Sequence, residues 1–281
     1  MSTKVAAIQT SYGRDMKENI DKTVSYIENA AQQGANIILP SELFQNIYFC
    51  TSQDERWFGE AYEAKRHPCV LALQGVAKML GVVVPVSIFE RDGPETYNSV
   101  AMIDDQGEIM GVYRKSHIPD GPGYQEKYYF KPGNSGFKVW VTRFGNIGVG
   151  ICWDQWFPEA ARMMMLKGAD VLFYPTAIGS EPYDTELDTS AAWRRAMQGH
   201  AVSNHVPVIA ANRIGKETGH DGAEQSFYGH SFIADQMGEI VEGFGAKEEG
   251  VLIHEFDFEA IKKSRSVWGF FRDRRSDLYS L

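Results

Sequence analysis

Cys152 closes the apolar run Asn146-Ile147-Gly148-Val149-Gly150-Ile151, and the polar stretch Trp153-Asp154-Gln155-Trp156-Phe157-Pro158-Glu159 follows at once. This pattern puts a thiol on a strand-to-helix turn: glycines admit close approach of backbone or substrate, and Pro158 suits a first helical turn. A helix starting there points free N–H groups and its positive dipole end at the sulfur, favouring thiolate, the reactive form. The same residue can equally serve as a small buried hydrophobe. Two more reactive side chains share the setting. Glu42 follows Ile37-Ile38-Leu39 and Pro40-Ser41, and Lys115 follows Ile109 to Arg114, each just past a predicted strand. Sheets of α/β proteins place ligands at such strand ends.

Cys, Glu and Lys suffice for hydrolysis. A thiol of ordinary pKa ~8.5 is only a few per cent ionised at neutral pH, so a base or a positive field must assist it. An ammonium ~4 Å away contributes up to about 4 kcal/mol at an effective dielectric near 20, or ~3 pKa units. A carboxylate cancels part of that field but can take the proton itself. Nucleophile, base and oxyanion stabiliser are then present without histidine. Taken singly, Glu42 can be a helix-start acid, and Lys115 in Arg114-Lys115-Ser116-His117 can be a solvated loop residue. Among the seven histidines, His117 shares the loop of Lys115 and reads as orienting it rather than as the base. His200 and His205, on or beside a helix, read as packing or surface residues. Cys50 and Cys69 read as partly buried structural thiols.

The elements that must position these residues begin with a βαβ pattern. Val5–Ile8 is a strand, Ile20, Val24, Ile27 and Ala31 recur at helical spacing, Gly34 closes that helix, and Ile37–Leu39 is the next strand. A helix from Pro68 to Leu80 leads to a strand over Val82–Ile88. Tyr97–Asp104 and Ile109–Arg114 flank a hairpin signal at Asp105-Gln106-Gly107. Strands over Phe137–Thr142, Ile147–Ile151, Val171–Tyr174 and Val206–Ala211 alternate with helices over Pro158–Lys167 and Thr189–Asn204. Strands near Gly229–Ala234 and Val251–Phe256 precede an irregular tail. No linker composition divides the chain, so residues 1–281 read as one α/β domain.

At 281 residues the chain can bury a large core, and 43% hydrophobic with 23% charged residues is ordinary for a globular protein. A formal charge of −9 argues against nucleic acid as a partner. No apolar run reaches the ~18 residues that span a bilayer, and no signal-peptide pattern opens the sequence. Three cysteines without a CxxC pair suit a reducing cytoplasm and argue against structural zinc.

The segments Leu39–Phe44, Tyr113–Pro119 and Gly148–Asp154 resemble, in order, the three signature segments of the nitrilase superfamily, the carbon–nitrogen hydrolases. The likeness extends over nearly the whole chain. It implies an αββα sandwich pairing with a second subunit into a larger four-layer dimer. It also implies a triad in which Glu42 is the base, Lys115 stabilises the tetrahedral intermediate and Cys152 is the nucleophile. The superfamily supports its lysine with a second glutamate, which by position in the following loop is Glu126. Asp120–Phe130 and Phe270–Tyr279 are similar to the N-carbamoylputrescine amidohydrolase branch, although Ser276 stands where that branch often has proline.

The expected reaction is attack by Cys152 on a ureido carbon, with Lys115 and the Trp153 N–H holding the oxyanion and no metal or organic cofactor. The ammonium at the far end of such a ureide needs anionic or aromatic partners. Asp120, Glu181 and Asp184 are the candidate anions, and Tyr48, Tyr124 and Trp153 the candidate walls. Two alternatives stay open. One is a β-ureidopropionase-like, aliphatic amide or nitrile hydrolase, and a pocket end lined by Arg194 or Arg195 would point to a carboxylate substrate. A non-catalytic binding protein would have no need of all four chemical residues. The resemblance further implies a homo-oligomer, with the aromatic tail Trp268-Gly269-Phe270-Phe271, within about 257–281, suited to subunit contact.

Overall fold

The computed structural model describes residues 2–184 and 186–279. In chain order the elements are β1 (Ser2–Gln9), α1 (Met16–Gln32), β2 (Ile37–Leu39), α2 (Pro68–Leu80), β3 (Val84–Asp92), β4 (Glu95–Ile103) and β5 (Ile109–Arg114). After these come α3 (Glu126–Tyr129), β6 (Val139–Thr142), β7 (Gly145–Val149), α4 (Pro158–Leu166), β8 (Val171–Pro175), α5 (Ser190–Asn204) and β9 (Val208–Ala211). The chain ends through β10 (Ile214–Thr218), β11 (Glu224–Tyr228), β12 (Phe232–Ala234), β13 (Ile240–Gly243), β14 (Gly250–Asp257) and α6 (Phe258–Trp268).

One sheet has the order β13-β12-β9-β8-β7-β6. The other is built from β14-β1-β2 and β3-β4-β5, joined where Ile38 N donates to Val83 O at 3.0 Å and Val83 N to Asn36 O at 2.9 Å. Alternation along the strands sends side chains to opposite faces, and both faces are apolar here. Val5, Ala7, Leu39, Val100 and Met102 meet Ile147, Val149, Phe173, Ile209 and Ile233 between the sheets. The outer face of the first sheet, with Ile8, Ile38, Val84 and Ala101, packs on Ile27 of α1 and Leu73 of α2. The outer face of the second, with Leu172, Tyr174 and Val208, packs on Met164 of α4 and Trp193 and Met197 of α5. The αββα sandwich expected from the sequence is therefore present, and its four layers are complete within one chain. Among the described residues no helix is long and apolar enough to cross a membrane.

Several boundaries follow local chemistry. Asp15 caps α1 by accepting from Glu18 N, and α2 begins at Pro68 and stops at Gly81, whose φ of +66° is left-handed. The tail is not irregular as expected: residues 258–268 form α6, capped by Asp257 accepting from Ala260 N, with Phe258 and Ile261 buried at i,i+3. Only two of its eleven residues are buried apolar anchors, which hides the helical period in the sequence. The hairpin of β10 and β11 escaped for a similar reason, since buried Glu217 and Gln225 occupy inward positions that an apolar pattern would need.

Candidate active site

Glu42, Lys115 and Cys152 come from different strand ends. Glu42 lies three residues beyond β2, its N–H donating to Thr176 O at the end of β8 (3.4 Å). Lys115 follows β5 directly; its N–H donates to Asn98 O and its carbonyl accepts from Gly133 N, both at 2.8 Å. Cys152 lies three residues beyond β7. All three are buried, Glu42 and Lys115 completely.

Lys115 is the hub. Its Nζ donates to Glu42 Oε1 at 2.8 Å and to both oxygens of Glu126, at 2.9 and 2.7 Å. Burial penalises the ammonium, yet Glu126 and Glu42 more than offset it and raise the lysine well above its ordinary value. The site therefore carries a fixed cation. Burial lifts Glu126 to about 7 against the pull of Lys115, with the neighbouring Glu42 charge adding to the rise. Asn98 Nδ2 donates to Glu42 Oε1 at 2.7 Å, while among the described residues Glu42 Oε2 has no hydrogen-bond partner. That oxygen is a free acceptor in the site.

Helix α4 starts where the sequence placed it, but a turn not foreseen there separates it from Cys152. Residues Cys152–Trp156 form a short 3₁₀ turn and α4 starts at Pro158. Burial, then the charge of Glu42, raise the thiol well above its ordinary range, and Lys115 only partly opposes them. Cys152 is therefore held toward its neutral thiol form. Its φ of +40° is left-handed, a sharp elbow costly for a side chain bearing Cβ. Gly150 makes the elbow possible, because a Cβ there would lie 2.7 Å from the Tyr174 ring.

Asp154 braces that elbow. Its Oδ2 accepts from Ile151 N at 2.9 Å and Tyr113 Oη at 2.7 Å. Its Oδ1 takes His117 N at 3.0 Å and contacts His117 Nδ1 at 2.7 Å. His117 stacks on Phe157, ring centroids 3.7 Å apart. It orients the lysine loop and lies off the reacting groups, as its loop position implied.

A cavity of about 490 Å³ opens onto Cys152 and Glu126 and is lined also by Asp120, Tyr124, Trp153, Trp156, Ile178, Glu181, Tyr183 and Thr189. Four of the six candidate substrate-binding residues, Asp120, Tyr124, Trp153 and Glu181, line it; Tyr48 and Asp184 do not. Tyr48 is buried behind the site because its Oη donates to Glu126 Oε1 at 2.6 Å. Asp184, Arg194 and Arg195 do not line the cavity, and no arginine or lysine is among the described residues that do. Cys50 and Cys69 are completely rather than partly buried, and Cys50 lies close enough to Glu126, Lys115 and Glu42 for their charges to act on its thiol. Asn98 and Asp154 were missed. Asn98, on the same face of β4 as the buried Val100 and Met102, was the available signal for a buried polar partner. Among the described residues no cluster of three or more His, Cys, Asp or Glu could hold a metal ion.

Residues 4–266 match the profile of the carbon–nitrogen hydrolase family. The chain is 56% identical over 280 residues to an N-carbamoylputrescine amidase of Solanum lycopersicum, covering 99% of this chain and 93% of that one. It is 50% identical over 276 residues to a citrullinase of Francisella tularensis, covering 98% and 96% respectively. A solved carbon–nitrogen hydrolase from Helicobacter pylori G27 superposes with a TM-score of 0.93 at 37% identity, covering 99% of this chain and 97% of that one.

Proposed function

The chain belongs to the carbon–nitrogen hydrolase family, and on that premise we propose that it hydrolyses N-carbamoylputrescine to putrescine, carbon dioxide and ammonia. The observation that carries the choice of substrate is the charge of the cavity. Asp120 and Glu181 line it beyond Cys152, and no cation does among the described lining residues. A ureide with a distal ammonium fits that distribution.

In this reading Cys152 Sγ attacks the ureido carbon as Glu42 Oε2, the unpartnered oxygen, takes the thiol proton. Lys115 has three N–H donors and contacts three oxygens at 2.8, 2.9 and 2.7 Å. Its two-oxygen grip on Glu126 can relax to one, freeing a donor for the oxyanion. The N–H groups of Cys152 and Trp153, first in their turn, have no intrahelical acceptor and can share that load. One nitrogen leaves protonated, and water activated by Glu42 then cleaves the carbamoyl–cysteine adduct. Either order of departure gives a carbamic acid, which loses carbon dioxide unaided, so one water accounts for all products.

Citrulline is the rival substrate. It differs by a carboxylate on the carbon that bears the ammonium. A like charge ~5 Å from Glu181 would cost about 3 kcal/mol at an effective dielectric near 20, more than 100-fold in affinity. The acidic cavity therefore favours the decarboxylated ureide. Ammonia release from N-carbamoylputrescine, citrulline and N-carbamoyl-β-alanine tests the assignment, and the cationic ureide should exceed the others in kcat/KM by at least tenfold. Mass spectrometry should find a covalent adduct on Cys152, and full activity in Cys152→Ala would end the mechanism.

The same reading treats the chain as one catalytic unit with segment 257–281 as a subunit contact, residues 280 and 281 lying outside the described ones. Val267, 77% exposed, and Trp268, 49% exposed, support it. Sedimentation of a Val267→Asp variant checks it. Three free cysteines support a cytoplasmic location.

A further inference from the structure

Arg213 is completely buried, just ahead of β10, between the rings of Tyr12 and Phe227 (5.0 and 5.4 Å to the centroids). One arm of its guanidinium, Nη2, donates to the backbone carbonyls of Glu42 at 2.6 Å and Leu43 at 3.0 Å. The other, Nη1, donates to Asn46 O at 3.2 Å and Glu217 Oε1 at 2.8 Å. Glu217 Oε2 in turn accepts from the backbone N–H of Tyr48 at 2.5 Å, and Tyr48 Oη donates to Glu126 Oε1 at 2.6 Å. One cation thus reaches the backbone of the Glu42 loop directly and Glu126 through two residues.

We propose that Arg213 is a positioning residue for both carboxylates of the site, fixing Glu42 by clamping its loop carbonyls and Glu126 through Glu217 and Tyr48. The inference rests on the catalytic roles given above to Glu42 and Glu126. The loop needs an external clamp: Leu43 holds a left-handed φ of +47°, a conformation that persists only where surroundings impose it. No strand ladder supplies that restraint, since β2 ends at Leu39. A planar fork can serve several acceptors at fixed angles, which a lysine ammonium on a flexible stem cannot. Glu217, buried beside it, keeps the cation paired and fixes the start of the Tyr48 segment.

The test uses full-length Arg213→Lys and Glu217→Gln, with Glu42→Gln as control, and reads kcat, KM, the pH profile of kcat and the urea midpoint. Positioning predicts that folded Arg213→Lys loses at least tenfold in kcat, with KM changed less than threefold and the acid limb of the profile displaced. Glu217→Gln, which keeps the arginine and the side-chain shape, should show a smaller loss of the same kind. If either folded variant keeps the wild-type kcat and pH profile while only its urea midpoint falls, Arg213 is purely structural and the proposal is overturned. Should Arg213→Lys fail to fold, Glu217→Gln decides the matter on the same criteria. The control separates the two ideas. An active Glu42→Gln sinks the site assignment itself, whereas an inactive one beside a fully active Arg213→Lys sinks only the clamp.

Discussion

Asp154 Oδ2 accepts a hydrogen bond from Tyr113 Oη at 2.7 Å, tying the strand that delivers Lys115 to the turn that delivers Cys152. The same carboxylate holds Ile151 N and two nitrogens of His117. In Asp154→Asn an NH₂ group must face donors that an oxygen now accepts. Lysine and sulfur would shift relative to each other, and a displacement near 1 Å costs about 10²-fold in rate. A kcat lowered by that order, with KM little changed, is the expected outcome. Steady-state kinetics on the folded variant checks it.

Stability and activity should respond to pH in opposite senses. The folded-state value of Glu126, about 7, lies above the ordinary 4.5, so folding takes up a proton between those limits. Its contribution to stability is fully present below 4.5 and is lost as pH rises through about 7. Activity instead gains over the upper part of that window, because ionised Glu126 is the partner that holds Lys115. Urea midpoints at pH 5 and 7.5, beside the kcat profile, test both directions. Glu126→Gln should flatten the stability slope.

Glu181 lines the cavity near Tyr183, and burial raises its carboxyl above the ordinary range. If it meets the substrate ammonium, Glu181→Gln removes a charge-assisted hydrogen bond worth about 1.5–3 kcal/mol. The KM for N-carbamoylputrescine should rise roughly 10- to 100-fold. N-butylurea, the same chain without its charge, should be unaffected. Equal effects on both ureides would pass the role to Asp120.

Gly133 sits against the end of β5. A Cβ there would fall 2.1 Å from Arg114 O and 2.8 Å from Lys115 O, both backbone atoms that cannot rotate away. Gly133→Ala should therefore destabilise the fold by about 1–3 kcal/mol and lower kcat by moving Lys115. Thermal melts with kinetics on the remaining folded protein would reveal both effects.

Much of this was legible in the sequence because it rests on local pattern. The 13 residues of α2 stand between a proline and a glycine, and the buried strands read as apolar runs. Glu42, Lys115 and Cys152 were visible as reactive side chain types just past strand ends. What escaped depends on distance. Tyr48 reads as a cavity wall until its hydroxyl is seen on Glu126, 78 residues away. The helix start at Pro158 was legible, but the five residues of 3₁₀ turn that separate it from the strand before it were not. The upward push on the thiol likewise comes first from burial in the folded chain and then from the distant charge of Glu42, neither of which its own segment displays.

Glu42 and Lys115 belong to one sheet and Cys152 to the other. Neither half of the sandwich holds all three side chains of the candidate site by itself; they meet when the two layers dock. Turnover regained during refolding would thus time that docking event, lagging behind any signal that reports helix or strand formation within a single layer.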